Sequence, residues 1–211
     1  MTIPAREALE RLREGNRRFV SDDQDPSMLT SQARRHEFTD SQEPFAIVFG
    51  CSDSRVPVEI VFDQGIGDLF VIRVAGNVVA PSLVGSVEFA AHQFGTRLVV
   101  VLGHSRCGAV AATLEELERP ERHRSPNLRS IVDRIRPAVE DLRRTELRDD
   151  PEALQAHAVR ANIRAAASQL RHGSALLENL IERDGLWVVG AEYSLATGRV
   201  DFFDGVPPEA G

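Results

Sequence analysis

The apolar residues of this chain fall into short continuous runs separated by longer amphipathic stretches. Four runs rich in valine and isoleucine lie at 45–50, 69–73, 97–103 and 186–192. Continuous rather than alternating runs are typical of strands buried on both faces, as in a parallel sheet. A fifth run, 199–203, follows the fourth after a short Ala-Thr-Gly stretch, which predicts a hairpin and an antiparallel edge strand.

Between these runs the apolar residues recur at helical spacing. Helices are predicted at 57–63, 82–94, 107–118, 127–144, 151–171 and 174–184. Strand followed by helix, repeated along the chain, is the signature of an α/β fold. We therefore expect a mainly parallel central sheet of about four parallel strands plus one antiparallel edge strand, flanked by helices.

The first 44 residues have a different pattern. Residues 4–20 begin with proline and carry an amphipathic stripe, whereas residues 21–44 are polar and irregular, so no element is predicted there. We expect an N-terminal helical arm over 1–44 and a single α/β domain over 45–211. The stripe of the first helix must be buried, either on its own domain or on a partner subunit.

Composition narrows the classes of function. The chain has 211 residues, 42% of them hydrophobic, and a net charge of −7, which favours neither nucleic acid nor an anionic membrane as a partner. All of its basic residues are arginine, so it has no lysine for a Schiff base or a P-loop. No apolar segment approaches the roughly 20 residues of a membrane span, and none has the length of a signal peptide. The expected location is the cytoplasm.

Three potential metal ligands follow two of the predicted strands. Cys51 comes directly after the first strand, and His104 and Cys107 follow the third. Parallel strands bring their carboxyl ends to one edge, where open α/β sheets bind ligands. Two thiolates and an imidazole suit zinc, and three protein ligands leave a fourth position open, as in catalytic zinc sites. Asp53 is the nearest further ligand or hydrogen-bond acceptor.

Spacing alone leaves other interpretations open. The two cysteines could be small buried hydrophobic residues. Cys107 and His104 could form a nucleophilic pair, which would leave Cys51 without a role. A disulfide between the two cysteines is disfavoured in a reducing compartment. Asp53 and Arg55 could be an ordinary exposed ion pair worth less than about 1 kcal/mol.

The motif Cys-X-Asp-X-Arg at 51–55, together with His-X-X-Cys at 104–107, closely resembles the β-class carbonic anhydrases. The resemblance is strong over residues 40–110, including LFVIRVAGN and GSVEFAAHQFG, and weaker through the carboxyl-terminal helices. It implies a lyase that hydrates carbon dioxide reversibly to bicarbonate and a proton, with one Zn²⁺ per subunit in the domain 45–211. The N-terminal helix matches the family's arm, which wraps around a partner subunit, and this implies a homodimer or homotetramer.

The resemblance also implies roles for single residues. Cys51, His104 and Cys107 fall on the zinc ligands. Asp53 and Arg55 fall on the catalytic pair that assists attack by a zinc-bound hydroxide on carbon dioxide. The two-residue spacing from Cys51 gives Asp53 two options, which are to bind the metal or to pair with Arg55.

The same resemblance outlines a substrate pocket. Gln42 matches a substrate-binding glutamine near the subunit interface, Phe70 an aromatic of the apolar pocket, and Gly108 a backbone position beside the metal. Ala75 is suited to the apolar wall that a small apolar substrate needs. Val48 departs from the family pattern, because several members have a tryptophan there as part of an inhibitory bicarbonate pocket.

Two further functions compete with this one. The scaffold and its metal could serve the hydrolysis of carbon disulfide or carbonyl sulfide. Alternatively, the protein could be a non-catalytic zinc protein in which the metal only links strands and stabilises the fold. A purely structural zinc site normally has four protein ligands and does not need the Asp53–Arg55 pair. The three ligands and this pair therefore favour the catalytic interpretations.

Overall fold

The central sheet has the predicted topology. The computed structural model describes residues 3–24, 31–119 and 125–208, which contain one sheet of five strands in the order β2-β1-β3-β4-β5. The strands are β1 (Ala46–Gly50), β2 (Leu69–Arg73), β3 (Leu98–His104), β4 (Trp187–Tyr193) and β5 (Val200–Asp204). The first four are mutually parallel, and β5 runs antiparallel to β4. The predicted fold class is confirmed, and each predicted strand agrees with the structure to within one residue at either end.

Helices flank this sheet. They are α1 (Ala5–Val20), α2 (Gln32–Glu37), α3 (Val58–Val61), α4 (Pro81–Gln93), α5 (Gly108–Glu118), α6 (Pro126–Val139), α7 (Pro151–His172) and α8 (Ala175–Arg183). Short 3₁₀ turns cover Ala75–Asn77, Glu140–Arg144 and Glu146–Asp149. The helix predicted at 127–144 therefore ends early and continues as a 3₁₀ turn. Among the described residues, no helix combines the length and the apolar composition that a bilayer crossing requires.

The continuous apolar runs are explained by burial on both faces of the sheet. Ile47 and Phe49 of β1 point into the core on the side of α4 to α8, whereas Val48 points into a second core on the side of α1 and α3. All three side chains are fully buried. A strand with no solvent-facing side has no reason to alternate apolar and polar residues.

Helix α1 packs against the sheet of its own chain. Leu9 and Leu12 lie in the second core, and the helix comes so close to the loop after α3 that a Cβ atom at Gly15 would lie 1.7 Å from the carbonyl oxygen of Phe62. Asn16 donates hydrogen bonds to the carbonyls of Val61 and Gly198. The apolar stripe of α1 is therefore buried against its own domain, which is one of the two alternatives that the sequence left open. The division into a 1–44 arm and a 45–211 catalytic domain stays a prediction.

Candidate metal centre

Cys51, His104 and Cys107 meet at the carboxyl edge of the sheet. Cys51 is the first residue after β1, His104 is the last residue of β3, and Cys107 is the N-cap of α5. All three side chains are buried, and their ligand atoms lie within 4.8 Å of one another. Arg106 adopts a left-handed conformation with φ 56°, which turns the chain between the histidine and the second cysteine. The strand ends named by the sequence thus come together as one three-residue group.

His104 is oriented by its own backbone. Its Nδ1 atom lies 3.0 Å from the carbonyl oxygen of Ser105, which can only accept a hydrogen bond, so Nδ1 carries the proton. The neutral ring then has its lone pair on Nε2. This buried atom has no hydrogen-bond partner among the described residues. An orphaned buried nitrogen next to two thiols is the arrangement expected of a metal ligand.

The two cysteines lie side by side without forming a disulfide. Both are free, and the backbone N–H of Gly76 donates a hydrogen bond to the Cys51 sulfur at 3.3 Å. The hydrogen bond from Cys107 lowers the pKa of Cys51 to about 4 although burial opposes it, and the same bond raises the pKa of Cys107. Burial lowers the pKa of His104, but the neighbouring Cys51 sulfur, the Ser105 carbonyl and the Asp53 carboxylate together outweigh this effect, and the net shift is upward. Cys51 is therefore an integral member of the group, which the alternative of a Cys107–His104 nucleophilic pair does not explain.

Asp53 is held beside this group by Arg55. The carboxylate accepts three hydrogen bonds, from the backbone N–H, Nε and Nη2 of Arg55. These bonds keep the pKa of Asp53 well below its usual range. The Oδ2 atom of Asp53 also lies 3.7 Å from Nε2 of His104. Asp53 could bind a metal or pair with Arg55, and in this structure it pairs with Arg55.

The loop that carries Cys51 and Asp53 is clamped by Arg73. Its Nε donates to the carbonyl of Cys51 at 3.0 Å, and its Nη2 donates to the carbonyl of Asp53 at 2.6 Å. No motif or hydrophobic period in the sequence predicts this contact. The available signal is register, because Arg73 ends β2 directly opposite Gly50, the last residue of β1.

Two of the four expected substrate residues lie at this edge of the sheet. Ala75 is half-buried in the 3₁₀ turn that follows β2, and Gly108 is exposed at the start of α5. A Cβ atom at Gly108 would meet nothing within 4 Å, so the space next to Cys107 is open. This edge of the sheet is therefore open to solvent at Gly108, next to the three buried side chains.

The other two lie towards the opposite edge. Phe70 pairs with Ile47, four positions before Cys51, which is about 13 Å at roughly 3.3 Å per residue. Gln42 is exposed and precedes the start of β1. Within one chain the structure does not bring Phe70 or Gln42 to the Cys51 group, so their roles stay predictions.

Comparisons with known proteins agree on one family. Residues 46–200 match the family described as carbonic anhydrase. The chain is 40% identical over 196 residues to a carbonic anhydrase of Mycolicibacterium smegmatis, covering 92% of this chain and 91% of that protein. It is 38% identical over 193 residues to carbonic anhydrase 2 of Mycobacterium tuberculosis, covering 91% and 89% respectively.

Solved structures give the same result. The β-carbonic anhydrase CafA of Aspergillus fumigatus superposes with a TM-score of 0.73 at 26% identity, covering 85% of this chain and 86% of that one. The β-carbonic anhydrase CcaA superposes with a TM-score of 0.70 at 27% identity, covering 94% and 93%. The similarity therefore extends over nearly the whole fold, including both strand ends that carry the three-residue group.

Proposed function

The chain belongs to the carbonic anhydrase family, in its β class of lyases, and on this premise we propose that it hydrates carbon dioxide reversibly to bicarbonate and a proton. The proposal includes one zinc ion per subunit, held by Cys51, His104 and Cys107. The observation that carries it is the meeting of these three ligand atoms, within 4.8 Å of one another, with the Asp53–Arg55 pair at one edge of the sheet.

The ligand set supports zinc in particular. Two sulfurs and one nitrogen are a borderline-soft set, and three protein ligands are the usual number in catalytic zinc sites. The unpartnered Nε2 of His104 and the two free thiols beside it fit this role. A zinc ion bound there would lower the pKa of its bound water to about 7 and so provide a nucleophile at neutral pH.

Asp53 and Arg55 have separate tasks in this proposal. Asp53 stays a carboxylate, because three hydrogen bonds from Arg55 stabilise its charge. A carboxylate only accepts hydrogen bonds, so Asp53 accepts one from the attacking water and directs the oxygen lone pair towards the carbon of carbon dioxide. Arg55 fixes the position of Asp53 with a charge that persists at any working pH.

A second subunit is part of the proposal. Phe70 and Gln42 lie towards the amino edge of their own sheet, so they serve a substrate pocket only across an interface with another copy. Strand β2 is an edge strand, and the ring of Phe89, 52% exposed, lies 6.2 Å from that of Phe70. Exposed aromatic residues beside an edge strand favour an interface. We propose a homodimer, or a homotetramer of two such dimers.

The proposal also includes a cytoplasmic location. Both thiols must stay reduced to bind a metal, and the cytoplasm is a reducing compartment. Among the described residues, no specific contact favours either alternative function. The experiment below distinguishes both alternative functions from carbon dioxide hydration.

That experiment measures carbon dioxide hydration by stopped flow on protein of known metal content. Wild type is expected to be active, and Asp53→Ala to lose activity by about 10²- to 10⁴-fold with its zinc retained. Asp133→Ala is the matched control, because Asp133 pairs with Arg136 on the exposed face of α6, away from the centre. Full-rate hydration by Asp53→Ala would remove Asp53 from the mechanism. Zinc-loaded wild type that hydrolyses carbonyl sulfide but does not hydrate carbon dioxide would favour the hydrolase, and inactivity towards both would favour a structural metal.

A further inference from the structure

A buried asparagine lies behind the metal centre. Asn162, in the middle of α7, is only 4% exposed and is surrounded in sequence by buried apolar residues. Its Nδ2 donates a hydrogen bond to the carbonyl of Gly76 at 2.8 Å. An amide in an apolar environment is costly unless it is hydrogen-bonded, so this contact fixes both partners.

Gly76 connects Asn162 to the metal centre. It has a left-handed conformation with φ 69°, and its N–H donates to the sulfur of Cys51 at 3.3 Å. A Cβ atom at this position would lie 2.8 Å from Ile135 Cδ1 and 2.9 Å from Ala109 Cβ, so only glycine fits. Glycine has no side chain to restrain its backbone, and the restraint on this turn must come from its hydrogen bonds.

Helix α7 is itself placed against the strand that carries His104. The side chain of Ile163 fills the space beside Gly103, where an added Cβ atom would lie 2.5 Å from Ile163 Cδ1. Gly103 is the residue before His104 in β3. Adjacent positions of one helix therefore contact the turn whose N–H binds the Cys51 sulfur and the strand that ends in His104.

We propose that Asn162 is a positioning residue for the metal site: it holds the Gly76 turn so that the Gly76 N–H stabilises the Cys51 thiolate as a ligand. This inference rests on the proposed role of Cys51. Groups that hold a metal ligand in place typically change metal affinity by about 10- to 100-fold when they are removed. Asn162 itself touches neither metal nor substrate.

A purely structural role must be distinguished from this one. Asn16 offers the matched control, because it is also buried and its Nδ2 also donates to backbone carbonyls, those of Val61 and Gly198, but at the contact of α1 with the far side of the sheet. Replacing either asparagine with leucine leaves carbonyls unpaired and lowers the melting temperature. Only the Asn162 change reaches the Cys51 sulfur.

The experiment compares wild type, Asn162→Leu, Asn162→Asp and Asn16→Leu. Zinc affinity is measured by competition with a chromophoric chelator, and the thiolate-to-metal charge-transfer band is recorded with cobalt in place of zinc. Both Asn162 variants are expected to bind zinc about 10- to 100-fold more weakly, with the band at lower energy because the sulfur has lost a hydrogen bond. Asn16→Leu is expected to keep the wild-type affinity and band.

Wild-type affinity and band position in Asn162→Leu would overturn the inference, as would an equal band shift in Asn16→Leu. If Asn162→Leu does not fold, Asn162→Asp decides by the same two readouts. Wild type that fails to bind zinc would overturn the proposed function instead, so the two failures are distinguishable.

Discussion

Arg55 holds the carboxylate of Asp53 in a fork. The backbone N–H and Nε of Arg55 donate to Oδ1 at 3.0 and 2.9 Å, and Nη2 donates to Oδ2 at 2.8 Å. Arg55 is 54% exposed on the outer side of the pair, whereas Asp53 is 18% exposed. The arginine thus covers the carboxylate from the solvent side, while Oδ2 remains 3.7 Å from Nε2 of His104.

This geometry predicts that lysine cannot replace Arg55. A lysine ammonium is a point charge on a flexible stem and does not reproduce two parallel hydrogen bonds from a planar guanidinium. We expect Arg55→Lys to reduce kcat by roughly 10- to 100-fold with unchanged zinc content. Arg136→Lys, in the exposed pair with Asp133, is the control and is expected to be neutral. Equal kcat values for Arg55→Lys and wild type would show that charge alone suffices.

Replacement of one ligand should uncouple stability from zinc. Cys107→Ser keeps the size of this buried side chain but removes the thiolate. For wild type, a chelator is expected to lower the melting temperature and abolish activity, and zinc to restore both, because an ion that binds only the folded state stabilises it. Cys107→Ser is expected to be inactive, with a melting temperature that no longer responds to chelator or zinc. A zinc-dependent rise in its melting temperature would mean that Cys107 is dispensable as a ligand.

The sheet and the three-residue group were predictable because both follow from local pattern. Runs such as 97–103 mark strands buried on two faces, and parallel strands bring the residues after them to one edge. This rule predicts that Cys51 and His104 lie together although 52 residues separate them in the sequence. The parallel direction of the strands, rather than any local contact, is the basis for predicting that these two residues meet.

The remaining features depend on contacts that leave no periodic trace. The segment QARRHE has no apolar stripe, so α2 was not predicted. The contacts of Arg73 with the Cys51 loop and of Asn162 with Gly76 are single hydrogen bonds between distant segments. Helix α1 approaches the sheet most closely at Gly15. Nothing in the sequence distinguishes this glycine from any other glycine in a helix, so the packing of α1 could not be predicted from it.

That close approach predicts opposite effects for two glycines in helices. In Gly15→Ala the new Cβ atom would overlap the carbonyl oxygen of Phe62, and a loss of about 1–3 kcal/mol or more in the free energy of unfolding is expected. Gly85 in α4 has nothing within 4 Å of its Cβ position, so Gly85→Ala is expected to gain about 0.5–1 kcal/mol from helix propensity. Urea unfolding measures both values. A stabilising Gly15→Ala would contradict the packing of α1 on Phe62.

The proposed interface predicts a different outcome for two equally exposed apolar side chains. Phe89 is 52% exposed in an aromatic cluster with Phe70 and Phe94 beside the edge strand, whereas Leu128 is 56% exposed on α6. Burying a glutamate at an interface without a partner is costly, so Phe89→Glu is expected to lower the mass measured by light scattering to that of a monomer. Activity should fall with it, because Phe70 and Gln42 would then serve no pocket. Leu128→Glu is expected to keep the mass and activity of wild type, and an active monomeric Phe89→Glu would refute the shared site.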